Sequence, residues 1–180
     1  DSFAATFEQT IRHRESGLTE KRTGRLLFKK PLLIRWQTNK PHEELLVVNS
    51  KEVWNYLPDE EIAYRYPSRI MKGSHGIIQV LTGQAVLTRD FEVKFEGREA
   101  DLTKLRLYPK EPDPQMVEAV IWVDDGGLIR QASILDFYGN GNDVKFTSFK
   151  ADAAASSAEF TFTPPKNIEV EERQEGQLLN

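Results

Sequence analysis

Short apolar runs recur along the chain, and turn residues stand between them. Val117, Ala119, Ile121 and Val123 keep a period of two, as do Leu32, Ile34 and Trp36, with polar residues more frequent on the opposing positions. That period predicts strands with one buried and one wet face. Turn chemistry interrupts the runs at Asn39-Lys40-Pro41, Asn49-Ser50-Lys51, Leu57-Pro58-Asp59, Glu96-Gly97, Asp124-Asp125-Gly126-Gly127 and Gly139-Asn140-Gly141-Asn142. Such spacing predicts an antiparallel meander with tight hairpins. From Gly24 to Trp36 two β-rich runs meet at Lys30-Pro31, one cation amid large apolar residues. Read with Phe160-Thr161-Phe162-Thr163-Pro164-Pro165, this stretch outlines an apolar half-barrel rather than a reaction centre.

One interior segment, 69–83, reads as a helix. Ile70, Met71, Ile77, Ile78 and Leu81 recur after Pro67 at helical spacings, with Ser74 as N-cap and Gly83 as stop. Gly73 and Gly76 weaken it by roughly 1 kcal/mol each relative to alanine. In the first region, 1–12, Phe3, Phe7 and Ile11 sit four apart, which fits one face of a helix and equally one face of a strand. Glu111-Pro112-Asp113-Pro114 must be a loop, because two nearby prolines break any ladder. Ala153 to Ser157 is a small-residue linker before a final strand, and the tail 166–180 turns acidic after Ile168 and Val170. No composition shift divides residues 1–180, so one domain is expected.

Composition narrows the function classes. A net charge of -4, spread over mixed charges, argues against phosphate backbones and anionic lipid heads as partners, and no nucleic acid is expected. No window approaches the ~18 apolar residues of a membrane-spanning helix. With no cysteine, disulfides, thiolate zinc sites and cysteine nucleophiles drop out. His13, His42 and His75 are scattered without i, i+4 spacing, and the neighbouring Ser74 and His75 point in different directions outside any nucleophile elbow. Asp59-Glu60-Glu61 and Asp124-Asp125 fall in predicted turns, where acidic residues are ordinary, and Gly139-x-Gly141 reads as a hairpin rather than a dinucleotide loop. No catalytic residue, metal or cofactor is expected. What remains is an excess of large apolar residues on strands whose other face is wet. In a closed sandwich two such faces cover each other; in an incomplete barrel capped by a weak helix they surround a space. The residues alone leave both open.

At this point the chain resembles the periplasmic outer-membrane lipoprotein carriers, the LolA family of Gram-negative bacteria. The matching blocks run from Ser2 to Gln9, from Gly24 to Trp36 with the Lys-Pro hinge, from Pro41 to Val47, from Val53 to Pro58, and from Ala158 to Pro165. The resemblance implies a mainly β fold: an antiparallel incomplete, half-open β-barrel with short lid helices over an apolar concavity. It implies a periplasmic, monomeric, non-enzymatic carrier that holds the acyl chains of lipoprotein cargo. Such a carrier accepts cargo from an inner-membrane ABC transporter and delivers it to the outer membrane, through a receptor where one exists. Carried onto this sequence, the lipid-binding residues are Phe28, Leu32, Ile34, Trp36, Trp54, Tyr56, Ile70, Ile77, Ile78 and Leu81. Leu32, Ile34 and Trp36 are expected to share one strand face with Lys30. Lys30 takes the place of the family's usual arginine and is implied to latch the lid, more loosely for want of a planar fork. By the resemblance, either the family's first lid helix lies upstream of Asp1 or the lid is reduced mainly to the segment around Ile70 to Leu81, and an opening residue other than methionine fits removal of a signal peptide or trimming. A periplasmic lipid-binding or regulatory sensor on the same half-barrel is the alternative, and a hydrolase on a β scaffold ranks third.

Overall fold

The antiparallel meander expected from the alternation is present as a single open sheet. A computed structural model of the chain describes residues 2–71, 76–83 and 86–174. Its strands are β1 (Ser2–Arg12), β2 (Thr19–Lys29), β3 (Leu33–Lys40), β4 (Glu44–Val48), β5 (Glu52–Leu57), β6 (Ile62–Pro67), β7 (Phe91–Glu99), β8 (Leu102–Pro109), β9 (Glu118–Val123), β10 (Ile129–Leu135), β11 (Gly141–Ala151) and β12 (Glu169–Glu172). Two short helices, α1 (Ile77–Leu81) and α2 (Leu87–Asp90), lie between β6 and β7. The strand order is β12-β6-β5-β4-β3-β2-β1-β11-β10-β9-β8-β7, so β12 and β7 form its two ends. The mainly β class is therefore as expected. The chain divides into two compact units, one of Asp1–Phe7, Arg22–Gly73 and Thr147–Asn180, the other of Glu8–Lys21 and Ser74–Phe146.

In the first unit, antiparallel pairing fixes which side chains share a face, because directly opposed residues project the same way. Leu26 opposes Trp36 and Phe28 opposes Ile34 across β2 and β3. Ile34 then opposes Val48, and Trp36 opposes Leu46. Val48 opposes Val53 and Leu46 opposes Asn55, and these oppose Tyr66 and Tyr64 on β6. This is the Trp36 face. Phe3 and Phe7 join it from β1, with ring centroids 5.3 Å from Phe28 and 4.4 Å from Trp36 respectively. The ambiguous spacing of Phe3, Phe7 and Ile11 thus resolves as a strand, with Phe3 and Phe7 buried on one side of it.

Gly24 makes that contact possible. It is buried in β2, and a Cβ there would lie 2.0 Å from the Gln37 carbonyl oxygen and 2.6 Å from the Phe7 ring.

The second unit repeats the two-faced plan. Leu107, Ala119, Ile121, Ala132, Ile134 and Val144 are buried on one face, and α1 packs on β10 of the same unit. The opposite face is charged. Arg106 of β8 bridges Glu96 and Glu118, while Lys104 donates to Glu99 at 2.9 Å and lies 5.3 Å from the Trp122 ring centre. The Trp122 indole N–H donates to the second Glu99 oxygen at 2.8 Å.

Several expectations are corrected. Glu96-Gly97 is not a turn: the β7–β8 register shifts between Phe95 and Gly97, so Gly97, at φ 107°, forms a bulge inside β7. The turn falls instead at Ala100 (φ 52°) and Asp101. The run at Phe160 is not a final strand; Ser157–Phe160 is a 3-10 turn, and β12 forms later and pairs parallel with β6. The segment 69–83 is not one helix but a 3-10 turn, Ser68–Met71, followed by the five-residue α1. Gly76 occupies the N-cap of α1 without a side-chain cap, and the expected cap Ser74 lies outside the described residues. The stop is as expected: the Gly83 N–H donates to the Val80 carbonyl at 3.1 Å, with Gly83 at φ 68°.

Two measurements test this packing. Gly24→Ala is expected to destabilise the chain by at least about 2 kcal/mol, read as the denaturant midpoint at unchanged m; an unchanged midpoint would refute the Gly24–Phe7 contact. The Arg106 guanidinium, by hydrogen bonding, holds the Glu96 carboxyl below the ordinary glutamate range. A depressed carboxylate stabilises the fold above its unfolded pKa and stops doing so as pH falls through its folded pKa. Thermal midpoints are therefore expected to fall on acidification below the ordinary glutamate range, and less steeply in Arg106→Gln.

Candidate functional site

The reverse of the Trp36 face is closed by the chain's own C-terminal segment. On the reverse, Val47, Trp54 and Ala63 form a buried cluster against which Leu45, Tyr56, Phe162 and Ile168 pack. Phe162 lies 5.4 Å from the Trp54 ring and 5.3 Å from the Tyr56 ring. The C-terminal segment that brings Phe162 there is held by named bonds. Asn49 Nδ2 donates to the Phe160 carbonyl at 3.0 Å, and an Arg35 guanidinium N–H donates to the Glu159 carbonyl at 3.3 Å. Ser156 and Glu159 form a capping box, which starts the 3-10 turn that buries Phe160. One side of the β3–β6 sheet is therefore covered by the chain's own tail.

This geometry separates the predicted site residues. Phe28, Ile34 and Trp36 lie together on the Trp36 face and are buried. Trp54 and Tyr56 do not join them. The register opposes Trp54 to Val47 and Tyr56 to Leu45, which puts both on the reverse face under Phe162. The physical reason is parity: Trp54 and Tyr56 are one residue out of step with Val53 and Asn55, which share the Trp36 face. Leu32 and Lys30 are not on a strand face either. Lys29 opposes Leu33, so residues 30–32 form the hairpin turn, with Leu32 half-buried and Lys30 exposed. Ile70 is half-buried in the 3-10 turn Ser68–Met71, which packs against β5. Ile77 and Ile78 are half-buried and Leu81 is buried in α1 of the other unit.

Sequence reasoning missed Asn55. It is 2 % exposed on the Trp36 face, between Leu46 and Tyr64 in register, and among the described residues its Oδ1 accepts no hydrogen bond. The Trp54 indole N–H is likewise buried without an acceptor on the reverse face. A parity count from Ile34 and Trp36 through the hairpin would have found Asn55, since an amide at a core-facing position departs from the apolar pattern. Also on this face, burial pushes the Tyr66 phenol up.

The groups considered for catalysis have structural work. Asp124 Oδ1 accepts N–H bonds from Gly126 and Leu128 at 3.0 and 2.9 Å, and Oδ2 accepts from Arg130 at 2.7 Å. Its carboxyl lies below the usual range, because these bonds outweigh the burial that opposes them. Asp59 faces His42 Nδ1 at 2.9 Å on the exposed surface. The Ser74-His75 pair lies outside the described residues. A cleft of about 290 Å³ at the β5–β6–β12 end is lined by Lys51, Arg65, Arg69, Glu52 and Glu172 among others, and is polar.

The arrangement is thus a two-faced sheet with an apolar wall on one side and a self-made cover on the other. The profile of the outer membrane lipoprotein carrier protein LolA matches residues 1–163. The chain belongs to the LolA family. It is 28% identical over 169 residues to an outer-membrane lipoprotein carrier protein of Chromobacterium violaceum, a match covering 94% of this chain and 80% of that one. A carrier of the same description from Photobacterium profundum is 28% identical over 176 residues, covering 97% and 84%. Among solved structures, a conserved protein of Thermus thermophilus shares the fold at a TM-score of 0.61 and 19% identity, covering 96% of this chain and 90% of that chain.

Phe162→Ala should lower stability by about 2 kcal/mol, half of a full aromatic truncation because Phe162 is only half-buried. Trp54 emission should shift to the red. An unchanged spectrum would show that the tail does not cover Trp54.

Proposed function

We propose that this chain is a periplasmic carrier that shelters the acyl chains of lipoproteins against its Trp36 face. The observation that carries this reading is the Trp36 face itself, a continuous apolar series of Phe3, Phe7, Leu26, Phe28, Ile34 and Trp36 across three strands. Membership of the LolA family supports lipoprotein as the cargo class.

The energetics set what such a wall must do. An acyl chain of about 15 methylenes loses on the order of 12 kcal/mol on entering water. A carrier must come close to matching the membrane and must not exceed it, or release stalls. Closure of the empty wall competes with cargo and lowers the apparent affinity. Phe3, Phe7, Leu26, Phe28, Ile34 and Trp36 are buried, so cargo entry requires them or their covering segments to move. The 3-10 turn Ser68–Met71 with its half-buried Ile70, which packs on β5 of the same unit, is suited to that movement. Lys30 acts on the lid from an exposed hairpin turn. Cargo comes from an inner-membrane ABC transporter and goes to the outer membrane, with no bond made or broken.

The test uses inner-membrane vesicles carrying an acylated lipoprotein and its ATP-dependent releasing transporter. Addition of the chain is expected to yield a water-soluble complex of chain and lipoprotein. Ile34→Glu, verified as folded, is expected to reduce the yield roughly tenfold or more by placing a charge on the wall. Lipoprotein that stays in the vesicles with the folded wild-type chain would overturn the reading.

A further inference from the structure

Asn55 is anomalous where it stands. Its face neighbours in register are Leu46 and Tyr64, with Val53 two residues before it on the same strand. Its Oδ1 is occluded and accepts no hydrogen bond among the described residues. A buried acceptor left without a donor costs about 1–3 kcal/mol, and an apolar residue of similar volume at the same place would avoid that cost. The polar neighbour on this face is the half-buried Tyr64, whose ring carries the Arg173 guanidinium at 4.1 Å, whereas Leu46 and Val53 are hydrocarbon; a buried water normally has about three polar partners. The group that fits is one that brings a single donor on an otherwise apolar body.

We propose that Asn55 is a specificity residue for amide-linked acyl chains, its Oδ1 accepting the N–H of an N-acyl group laid along the Trp36 face. The proposal rests on the acyl-carrier reading above and names the chemistry selected within it. Among acylated molecules the distinction is sharp. An ester linkage carries acceptors only, and a fatty acid at neutral pH is an acceptor-only anion; neither satisfies Oδ1. A secondary amide supplies one N–H between two apolar arms. A lipid-modified polypeptide with an acylated amino terminus has that linkage, whereas an ordinary diacylglycerol lipid has esters alone. The 3-10 turn Ser68–Met71 packs against β5, the strand that carries the acceptor.

The test is a competition assay with two probes that differ only at the linkage, N-methylpalmitamide and methyl palmitate, each displacing a fluorescent acyl probe from the full chain. An amide is more strongly hydrated than an ester, so the informative quantity is the amide-to-ester affinity ratio compared between proteins. That ratio is expected to fall about tenfold from wild type to Asn55→Leu, the size of one hydrogen bond to a buried acceptor, while affinity for the ester stays level or rises. Asn55→Ala, which removes the same acceptor without added bulk, should give the same fall. A ratio unchanged in both variants would overturn the assignment of Asn55 while leaving the acyl-carrier reading in place. Failure of both lipids to displace the probe from wild type would overturn both.

Discussion

The parity of strand pairing from β2 to β6 is the constraint on which the remaining structure depends. Once Phe28 opposes Ile34 and Trp36 opposes Leu46, every later side chain in the first unit is committed to one face or the other. A slip of one residue would exchange Trp36 for Arg35 and Asn55 for Trp54. The apolar wall, its tail-covered reverse and the orphaned amide all follow from that single choice of register. Gly24 protects it, because only a residue without a side chain lets Phe7 lie across β2 onto Trp36.

Much of this architecture is legible in the sequence. The alternation at Ile34 and Trp36, and at Ala119 and Ile121, gives the buried positions correctly, and most of the turn clusters mark real connections. The failures have physical causes. Glu96-Gly97 has turn composition, yet a glycine at positive φ serves a bulge as well as a turn, and only the β8 partner decides between them. Phe160-Thr161-Phe162 has strand composition, but its aromatics are anchored by Asn49 and Arg35 to a sheet that is already paired, so no ladder is open to it.

The site was harder to read than the fold. Phe28, Ile34 and Trp36 could be grouped because they flank one hairpin at even spacing. Trp54 and Tyr56 enter the same set through the resemblance, and a matching block carries no information about how one strand is phased relative to its neighbour. Lys30 was assigned to a strand because proline at the next position hides where a three-residue turn begins. Asn55 passed unnoticed for the opposite reason: an asparagine looks like a surface residue until the register turns it inward.

The two ends of the sheet are guarded unequally. At one end β12 is only four residues long and carries three glutamates, one of which is tied to Arg65 at 2.9 Å. At the other end β7 offers nine residues, with Phe95 69% exposed. A long outer strand with a bare aromatic invites stacking of one molecule on the next. Lys94 and the kink at Gly97 work against it, the first by adding charge and the second by twisting the backbone out of line. Resistance to such stacking is therefore built into β7 itself, in Lys94 and its charged neighbours and in the bulge at Gly97.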